Sequence, residues 1–306
     1  MGFIPCSRTS TCKNPEKRLE LNDNAKKNIK RLLYNYKRSA GCRNIDYNLT
    51  DEEATELMND KCFYCYEECT DGYKHGIDRK YNDDGYEKDN CVTCCKMCNI
   101  SKNDTSIEEY INKVFHILSH TWLIDEKHYY PELFNNSIAK KCPITSRFYS
   151  YVNRAKNKKE RNDNFNFNIN KEEFILITSL NCYLCGKETN SYHLNGIDRI
   201  NSKDDYTFNN ILPCCYDCNV IKNEFDITQL LIKFNQLYLG RKLINEERDN
   251  LINKIKLFID NRIDETNDYI NSNISSAAIM VFDNIVDYGS PIIDEQYCDI
   301  YNIIDI

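Results

Sequence analysis

The chain lacks any apolar run near the roughly 18–20 residues that cross a bilayer. Its first residues, MGFIPCSRTSTCKNPEKR, lack the apolar centre of a secretory signal. It begins Met-Gly, but Cys6 stands where a myristoylation motif needs Ser or Thr. These absences predict an intracellular protein, in the cytoplasm or nucleus, with no membrane partner. In a reducing compartment, seventeen cysteines are more typical of metal binding than of disulfides.

Lysine and arginine are absent after Arg262, where nine acidic residues follow. The net charge of −7 therefore becomes −7 + 9 = +2 for residues 1–262. Residues 13–43 hold ten basic and three acidic side chains, and residues 140–161 hold eight basic and one acidic. Local patches rather than net charge attract phosphates. For either segment alone, a solvated helix face is an equally good interpretation.

A duplication is the strongest internal signal. At an offset of 120, residues 62–103 match residues 182–223 without a gap, and 16 of the 42 positions are identical. The identities include two CxxC pairs, the run GIDR and a tyrosine and an asparagine after it. A repeat of this length indicates two copies of one structural module.

The flanks of the two copies repeat more loosely. YNYKRSA (34–40) and YSYVNRA (149–155) precede the clusters, and acidic segments capped by Thr50 and Asn170 follow them. Amphipathic helices are predicted over Ile107–Trp122 and about Ile227–Tyr238. A further helix near Glu246–Ile263 is expected to pack on the second of these. The predicted organisation is an N-terminal extension (1–19), module 1 (20–135), module 2 (136–262) and an acidic tail (263–306).

Each module reads C-x2-C-x29-C-x2-C, which presents four thiolates suited to tetrahedral Zn²⁺. A C-x2-C pair is called a knuckle here. Module 1 contains a competing second knuckle, Cys91-x2-Cys94, but module 2 has Ile211 at the position of Cys91. Only the knuckle Cys95-x2-Cys98 therefore has a counterpart in both copies. Cys94 and Cys214 are then buried thiols. Four protein ligands leave no open position, so the zinc is predicted to be structural. The predicted ligands are Cys62, Cys65, Cys95 and Cys98 in module 1, and Cys182, Cys185, Cys215 and Cys218 in module 2.

Between the knuckles, GIDR, a turn-rich stretch and a short apolar segment predict a β-hairpin, and the second knuckle begins a helix. This ββα pattern, CxxC…GIDR…GY…N-x-V-x-CC-x-x-CN-x-x-K, resembles the zinc-binding branch of the HNH endonucleases, the ββα-metal nucleases, of which phages and large DNA viruses carry many. The resemblance covers residues 30–240. It implies an α+β fold of two tandem ββα-metal, treble-clef-type zinc modules with flanking helices.

The resemblance also implies an activity, the metal-dependent hydrolysis of phosphodiester bonds in DNA, with RNA as the other candidate substrate. In that family an Asp on the first strand and an Asn or His on the helix hold a catalytic Mg²⁺ or Mn²⁺. The matching residues are Asp78 with Asn99 and Asp198 with Asn219. Asn103 and Asn223 lie one turn further along as extra ligands or phosphate contacts. Asn90 and Asn210 match the Asn that braces the hairpin, and Arg79, Arg199, Lys102 and Lys222 match phosphate contacts.

One position departs from the family. The general base is a histidine directly after the metal-binding Asp, whereas this chain has Arg79 and Arg199 there, which cannot accept a proton at neutral pH. His75 and His193 are nearby, but strand alternation points them to the opposite face. Another base, metal-bound water or an inactive site are the remaining options. A purely structural ion pair between Asp78 and Arg79 is an alternative for the motif.

Three functions stay open at this point. The first is an endonuclease, as an internal pseudo-dimer or with one cutting module; Gly85 and His75 then favour module 1. The second is a non-catalytic zinc protein that binds DNA or RNA. The third is an adaptor whose acidic tail docks a protein partner through residues 277–286 or competes with DNA for the basic face. A disordered, solubilising tail is the alternative to the third.

Overall fold

The computed structural model describes residues 29–69, 74–136, 144–160, 166–190 and 193–286. The chain divides into two compact units. Unit 1 runs to residue 111 and includes residues 233–243, whereas unit 2 contains residues 112–232 and the chain from residue 244 onwards. Cys6, Cys12 and the end of the acidic tail lie outside the described residues. Within the described ranges, no helix is both long and apolar enough to cross a membrane.

Unit 1 is built around a short β-hairpin. Helices α1 (Ile29–Cys42) and α2 (Asp51–Asn59) precede strands β1 (Gly76–Arg79) and β2 (Cys91–Cys94), and α3 (Lys96–Lys102) follows at once. The strands pair antiparallel, with Gly76 opposite Cys94 and Asp78 opposite Val92. One face of the hairpin and the two helices bury a single apolar core, formed by Leu33, Ala40, Leu49, Ala54, Met58, Ile77, Tyr86 and Cys91.

Unit 2 repeats this order. After α4 (Ile107–His120), whose first turn belongs to unit 1, come a 3-10 turn (Pro131–Leu133), α5 (Ile144–Glu160) and α6 (Lys171–Ser179). Strands β3 (Gly196–Arg199) and β4 (Ile211–Cys214) pair in the same register, and α7 (Tyr216–Lys222) and α8 (Ile227–Leu239) follow, with the residues of α8 from 233 onwards belonging to unit 1. The core includes Ala155, Ile169, Phe174, Leu176, Ile177, Ile197, Tyr206, Ile211 and Ile270. The predicted hairpins and ββα order are therefore confirmed, and the fold is α+β.

Helices α2 and α6 begin at complete capping boxes. The Thr50 hydroxyl accepts from the Glu53 amide and the Glu53 carboxylate accepts from the Thr50 amide, each at 3.1 Å. Asn170 and Glu173 make the same reciprocal pair at 2.9 and 2.7 Å. Each box satisfies two amides that the first helical turn leaves unpaired. The predicted caps are confirmed.

The last helix differs from the prediction in length and in packing. Helix α9 runs from Asn245 to Val286, so residues 263–286 continue the helix that was expected to end near Ile263. Its main partner is α6, and Ile270 joins the unit 2 core. The main partner of α9 thus differs from the expected one, which was α8. The periodicity of α9 showed that it has an apolar face but not which element covers that face.

Candidate functional site

The predicted thiols of module 1 come together. The sulfur atoms of Cys62, Cys65, Cys95 and Cys98 lie within 4.8 Å of one another, and all four side chains are buried. Cys65 Sγ is 3.8 Å from Cys95 Sγ. Tetrahedral zinc with bonds of about 2.3 Å requires sulfur atoms about 3.8 Å apart. This donor set therefore fits a closed metal site.

Module 2 forms a second cluster of the same kind. Cys182, Cys185, Cys215 and Cys218 are buried, and their sulfur atoms also lie within 4.8 Å of one another. Cys185 Sγ is 3.6 Å from Cys215 Sγ. Cys94 and Cys214 are buried outside these clusters, as predicted.

The second knuckle is placed by the start of a helix. Cys95 caps α3, and its sulfur accepts a hydrogen bond from the Cys98 amide at 3.5 Å. Cys215 caps α7 in the same way at 3.4 Å. Donation from a helix N-terminus stabilises a thiolate, which is the form that binds metal. The C-x2-C spacing is therefore set by one turn of helix.

The four-cysteine cluster of module 1 has a cationic neighbour within unit 1. Lys233 places its Nζ 3.4 Å from Cys65 Sγ and 3.7 Å from a Glu67 carboxylate oxygen. Burial lowers the pKa of Lys233, but the thiolates of Cys95, Cys65 and Cys98 raise it by more, so the net pKa is raised. A four-thiolate zinc site carries a net charge of −2, and this ammonium offsets part of it.

Asp78 is buried rather than open to solvent. The Tyr64 hydroxyl donates to Asp78 Oδ2 at 2.7 Å, and the fully buried Lys102 ammonium lies 3.4 Å from both carboxylate oxygens. Lys102 also donates to the Arg79 carbonyl oxygen at 2.9 Å. The ion-pair partner of Asp78 is thus Lys102, and the suggested pair with Arg79 is wrong.

The second copy repeats this arrangement with a substituted tyrosine. Lys222, fully buried, lies 3.1 Å from Asp198 Oδ1 and 2.7 Å from the Arg199 carbonyl oxygen. The hydroxyl here comes from Tyr183, 2.9 Å from Asp198 Oδ2. In the repeat, Tyr183 aligns with Phe63 and Tyr64 with Leu184. In both copies a tyrosine hydroxyl therefore donates to the buried aspartate, but the two tyrosines come from neighbouring rather than equivalent positions. The alignment alone does not reveal this.

Burial raises the pKa of both acids, and the paired lysines only partly offset that rise. A divalent ion at Asp78 would displace or repel the Lys102 ammonium, because the ammonium faces both carboxylate oxygens. The same holds for Asp198 and Lys222. The residues as arranged do not fit the catalytic Mg²⁺ or Mn²⁺ that the resemblance implies. The predicted phosphate contacts of Lys102 and Lys222 do not fit either, since both side chains are fully buried.

The arginines of the GIDR runs hold the hairpin loops. Arg79 Nη1 donates to the carbonyl oxygens of Asn82 and Asp84, at 2.6 and 2.5 Å, and its guanidinium lies 5.3 Å from the Tyr86 ring centre. Arg199 donates to Asp204 at 2.9 Å and lies 4.8 Å from the Tyr206 ring centre. Both side chains are buried. Their position fits a structural role better than the predicted phosphate contact.

Asn90 and Asn210 brace the hairpins, as the resemblance implies. The Asn90 side chain accepts from the Tyr81 amide and donates to the carbonyl oxygens of Tyr81 and Gly85, all within 3.0 Å. Asn210 makes the three corresponding bonds to Asn201 and Asp205. Each asparagine thus closes the loop between its two strands.

The helix asparagines have other positions. Asn99 and Asn219 are half-buried, and the Asn99 side-chain nitrogen lies near Gly76. Asn103 and Asn223 are the C-caps of α3 and α7, with φ of 53° and 52° and ψ of −126° and −136°, a backbone region that non-glycine residues rarely adopt. Asn103 and Asn223 therefore serve as helix ends.

The nearby histidines bond away from the acids. His75 Nδ1 lies 3.1 Å from the Asp60 carbonyl oxygen, and His193 Nε2 lies 2.9 Å from Asn195 Oδ1. Both rings are buried. This agrees with the strand-parity argument that neither faces Asp78 or Asp198.

The start of each GIDR strand is locked by a tyrosine that sequence reasoning did not single out. The Tyr36 hydroxyl accepts from the Ile77 amide at 2.8 Å, and a Cβ on Gly76 would stand 2.6 Å from that oxygen. Tyr151 does the same for Ile197 and Gly196, at 3.2 and 2.6 Å. The repeated tyrosines of YNYKRSA and YSYVNRA were the available signal.

The preceding tyrosine of each copy is on the surface. Tyr34 on α1 is 63% exposed and Tyr149 on α5 is 54% exposed. Exposed basic side chains share these helices: Lys30, Arg31, Lys37 and Arg38 on α1, and Arg154 and Lys156 on α5. Aromatic rings among cations are typical of surfaces that bind nucleic acid.

Comparison with known proteins adds a viral relative. An uncharacterized protein of Acanthamoeba polyphaga mimivirus is 32% identical over 201 residues, which cover 65% of this chain and 35% of that protein. The chain thus spans about a third of that relative's length. No protein-family model matches the chain, and no solved structure matches it.

Proposed function

We propose that this protein is a zinc-dependent DNA-binding protein in which two ββα modules, each stapled by four cysteines, support repeated basic helices. The observation that carries the proposal is that each module buries its HNH-like acid beneath a lysine and exposes a tyrosine among cations on the upstream helix. The zinc stabilises each module, and the motif that resembles a nuclease site supports the scaffold.

The metal site links the fold to the binding surface. Zinc joins the loop before the hairpin, at Cys62 and Cys65, to the start of α3, at Cys95 and Cys98. The buried Asp78–Lys102 pair ties β1 to the end of the same helix. Tyr36 then attaches α1 to the first residues of β1. The orientation of the basic face of α1 thus depends on metal through a continuous set of contacts.

The exposed cations of α1 and α5 favour binding to the phosphate backbone over recognition of a particular base sequence. Lysine and arginine side chains on a helix release counterions from DNA when they bind, which gives affinity without sequence preference. The exposed rings of Tyr34 and Tyr149 add contacts to sugar or base. The negative net charge of the whole chain comes from the nine acidic residues beyond residue 262, whereas residues 1–262, which include α1 and α5, carry a net charge of −7 + 9 = +2.

The second candidate is the endonuclease implied by the resemblance. It is favoured by the retention of an Asp on the strand and an Asn on the helix in both copies. For this activity, Lys102 and Lys222 would have to leave their carboxylates to admit a divalent ion. Metal-dependent cleavage that is lost in Asp78→Asn and Asp198→Asn variants would favour this candidate.

The test is DNA affinity of the zinc-loaded chain as a function of salt. The variant Lys30→Gln, Arg38→Gln, Arg154→Gln, Lys156→Gln removes four exposed cations, two from each repeated helix. If each contacts a phosphate, the slope of log K against log salt falls by about 3 to 4. Lys254→Gln with Lys256→Gln, on α9, is the matched control and is expected to leave the slope unchanged.

The proposal fails if the four-cation variant binds duplex DNA with the affinity and salt slope of the wild type. It also fails if the folded, zinc-loaded protein does not bind DNA at low salt. An RNA duplex of the same length, measured in parallel, shows whether the surface distinguishes the two nucleic acids.

A further inference from the structure

The sole tryptophan of the chain occupies a position where the fold favours glycine. After α4, Trp122 has φ of 55° and is 65% exposed. The Trp122 amide donates to the Ser119 carbonyl and the Leu123 amide to the Leu118 carbonyl, which is the Schellman ending of a helix. A bulky residue in left-handed backbone is strained, and such strain is concentrated at functional sites.

The second copy supplies an internal comparison. Helix α8 ends with the same two bonds, from Gly240 to Leu237 and from Arg241 to Gln236, and its left-handed residue is Gly240, with φ of 66°. The same backbone turn thus carries glycine in one copy and an exposed tryptophan in the other. Since the turn itself does not need an indole, the ring must serve another purpose.

Trp122 forms one side of an aromatic cavity in unit 2. The cavity has a volume of about 360 Å³, within the range of small-molecule pockets. Tyr129, 78% exposed, lines it as well, together with His116, His120 and His128. Three of the five histidines of the chain and two strongly exposed aromatic rings therefore converge on one space.

The exposed rings of Trp122 and Tyr129 each contact neighbouring side chains that fix their position. The Arg262 guanidinium lies 5.0 Å from the Trp122 ring centre, and Phe258 contacts it edge-on at 6.4 Å. Tyr129 stacks on His116, with ring centres 5.6 Å apart and an interplanar angle of 28°. Despite these contacts the side chains of Trp122 and Tyr129 remain 65% and 78% exposed, and rings already held by neighbours lose little further freedom when a ligand stacks on them.

Hydrogen bonds fix one histidine of the cavity wall as a neutral ring. His116 Nδ1 accepts from the Tyr130 amide at 2.8 Å, so its Nε2 carries the proton and donates to the Cys185 carbonyl at 2.9 Å. Burial lowers the pKa of His120 to about 4. Flat aromatic rings suit a planar ligand, and exposed Asp125 and Lys127 at the edge of the cavity can meet its polar groups.

We infer that this cavity binds an unpaired nucleobase, stacked on Trp122, and so gives the protein a site for single-stranded nucleic acid separate from the basic helices. The inference rests on the proposed function, because the basic helices would bring the nucleic-acid strand to the protein. Stacking on an aromatic side chain accepts any base, because every base has a flat π face. A base in a duplex is not available to this cavity, since both its faces are already stacked.

The single tryptophan makes the test direct. The zinc-loaded full chain is titrated with a 15-residue deoxyadenosine strand, an abasic strand of equal charge and a blunt 15-base-pair duplex. Binding is followed by anisotropy of an end label, and stacking by Trp122 fluorescence. We expect the adenosine strand to quench Trp122 by more than half, while the bound abasic strand and duplex leave it nearly unchanged.

Equal quenching by the abasic strand, or no quenching when anisotropy shows the adenosine strand bound, would overturn the inference. If no oligonucleotide binds, the proposed function fails, and adenosine monophosphate decides the inference alone: quenching supports the cavity and its absence excludes it. These outcomes separate the two claims.

Trp122→Gly distinguishes a binding role from a folding role. It restores the residue that the second copy has at this turn, so the thermal midpoint is expected to stay at or above that of the wild type. Single-strand affinity is expected to fall about tenfold, while duplex affinity stays within about twofold. Tyr269→Ala removes an exposed ring that does not line the cavity, and should change neither affinity. Unchanged single-strand affinity in Trp122→Gly contradicts the inference.

Discussion

The Lys102 ammonium lies 3.4 Å from both carboxylate oxygens of Asp78 and has no solvent exposure, and Lys222 repeats the pair with Asp198 at 3.1 Å. An ion pair this deeply buried is costly to break from one side, because the remaining charge has no partner and no water. The acid of the nuclease-like motif is therefore part of the interior.

We expect Lys102→Met to lower the free energy of unfolding by about 3–5 kcal/mol, because it leaves Asp78 buried without its cation. Adding Asp78→Asn to this variant should recover part of the loss. Lys88→Met is the control, since its ion pair with Glu53 is exposed to solvent and is expected to contribute little to stability. Denaturant unfolding measures all three, and a Lys102→Met protein as stable as the wild type would show that the pair does not hold the module.

The two four-cysteine clusters predict two zinc ions per chain. Cys95→Ser should reduce the zinc content to one, and Cys215→Ser should do the same for the other module, because each removes one of four ligands. Cys91→Ile, which places in module 1 the residue found in module 2, should retain two. Metal analysis of purified protein decides this, and two ions bound by Cys95→Ser would make the ligand assignment wrong.

The contact between Gly76 and Tyr36 predicts that substitutions at these two residues have coupled effects on the free energy of unfolding. Gly76→Ala should destabilise by about 1–3 kcal/mol, because its Cβ would stand 2.6 Å from the Tyr36 hydroxyl oxygen. In a Tyr36→Phe background the same change should cost less, since the clashing oxygen is gone. Gly41→Ala, on α1 with open space around it, should be neutral or stabilising. Equal costs of Gly76→Ala in both backgrounds would refute the contact.

His120 predicts a dependence of stability on pH. Burial, and then the nearby Arg262, lower the pKa of His120 from its ordinary 6.5 to about 4, so the unfolded chain binds a proton there more readily than the folded one. Its neutral form contributes stability above pH 6.5, and that contribution is lost as pH falls towards 4. Between pH 7.5 and 5, the wild type should lose about 2 kcal/mol more than His120→Leu. Parallel pH profiles for the two proteins would contradict this assignment.

Sequence reasoning was strongest where spacing is local. The cysteine pairs, the helix caps at Thr50 and Asn170 and the ββα order depend on residues a few positions apart, and all were predicted, whereas the reciprocal bonds to Glu53 and Glu173 were not. The role of Lys102 was not predicted, because its pairing with Asp78 depends on how α3 packs against β1. The exchange of Tyr64 for Tyr183 escaped the alignment, since side chains from adjacent positions reach the same place.

The limits of the compact units also depend on tertiary packing. Residues 233–243 group with unit 1, and residues 112–135 with unit 2, although sequence repetition assigned them the other way. Repetition shows where a segment was duplicated and does not show which core its apolar face covers. The same reasoning explains α9: the absence of basic residues after Arg262 resembled a domain boundary, but helix propensity and the apolar contact of Ile270 carry the helix further.

Binding and cleavage of the same plasmid distinguish a DNA-binding protein from an endonuclease in one sample. Zinc-loaded protein is mixed with supercoiled plasmid in Mg²⁺ or Mn²⁺ at a concentration that retards the plasmid on a gel, beside Asp78→Asn, Asp198→Asn and the double variant. We expect the wild type to retard the plasmid with no nicked or linear product, because a lysine holds each acid. Metal-dependent nicking by the wild type that the double variant abolishes would contradict it and establish the endonuclease.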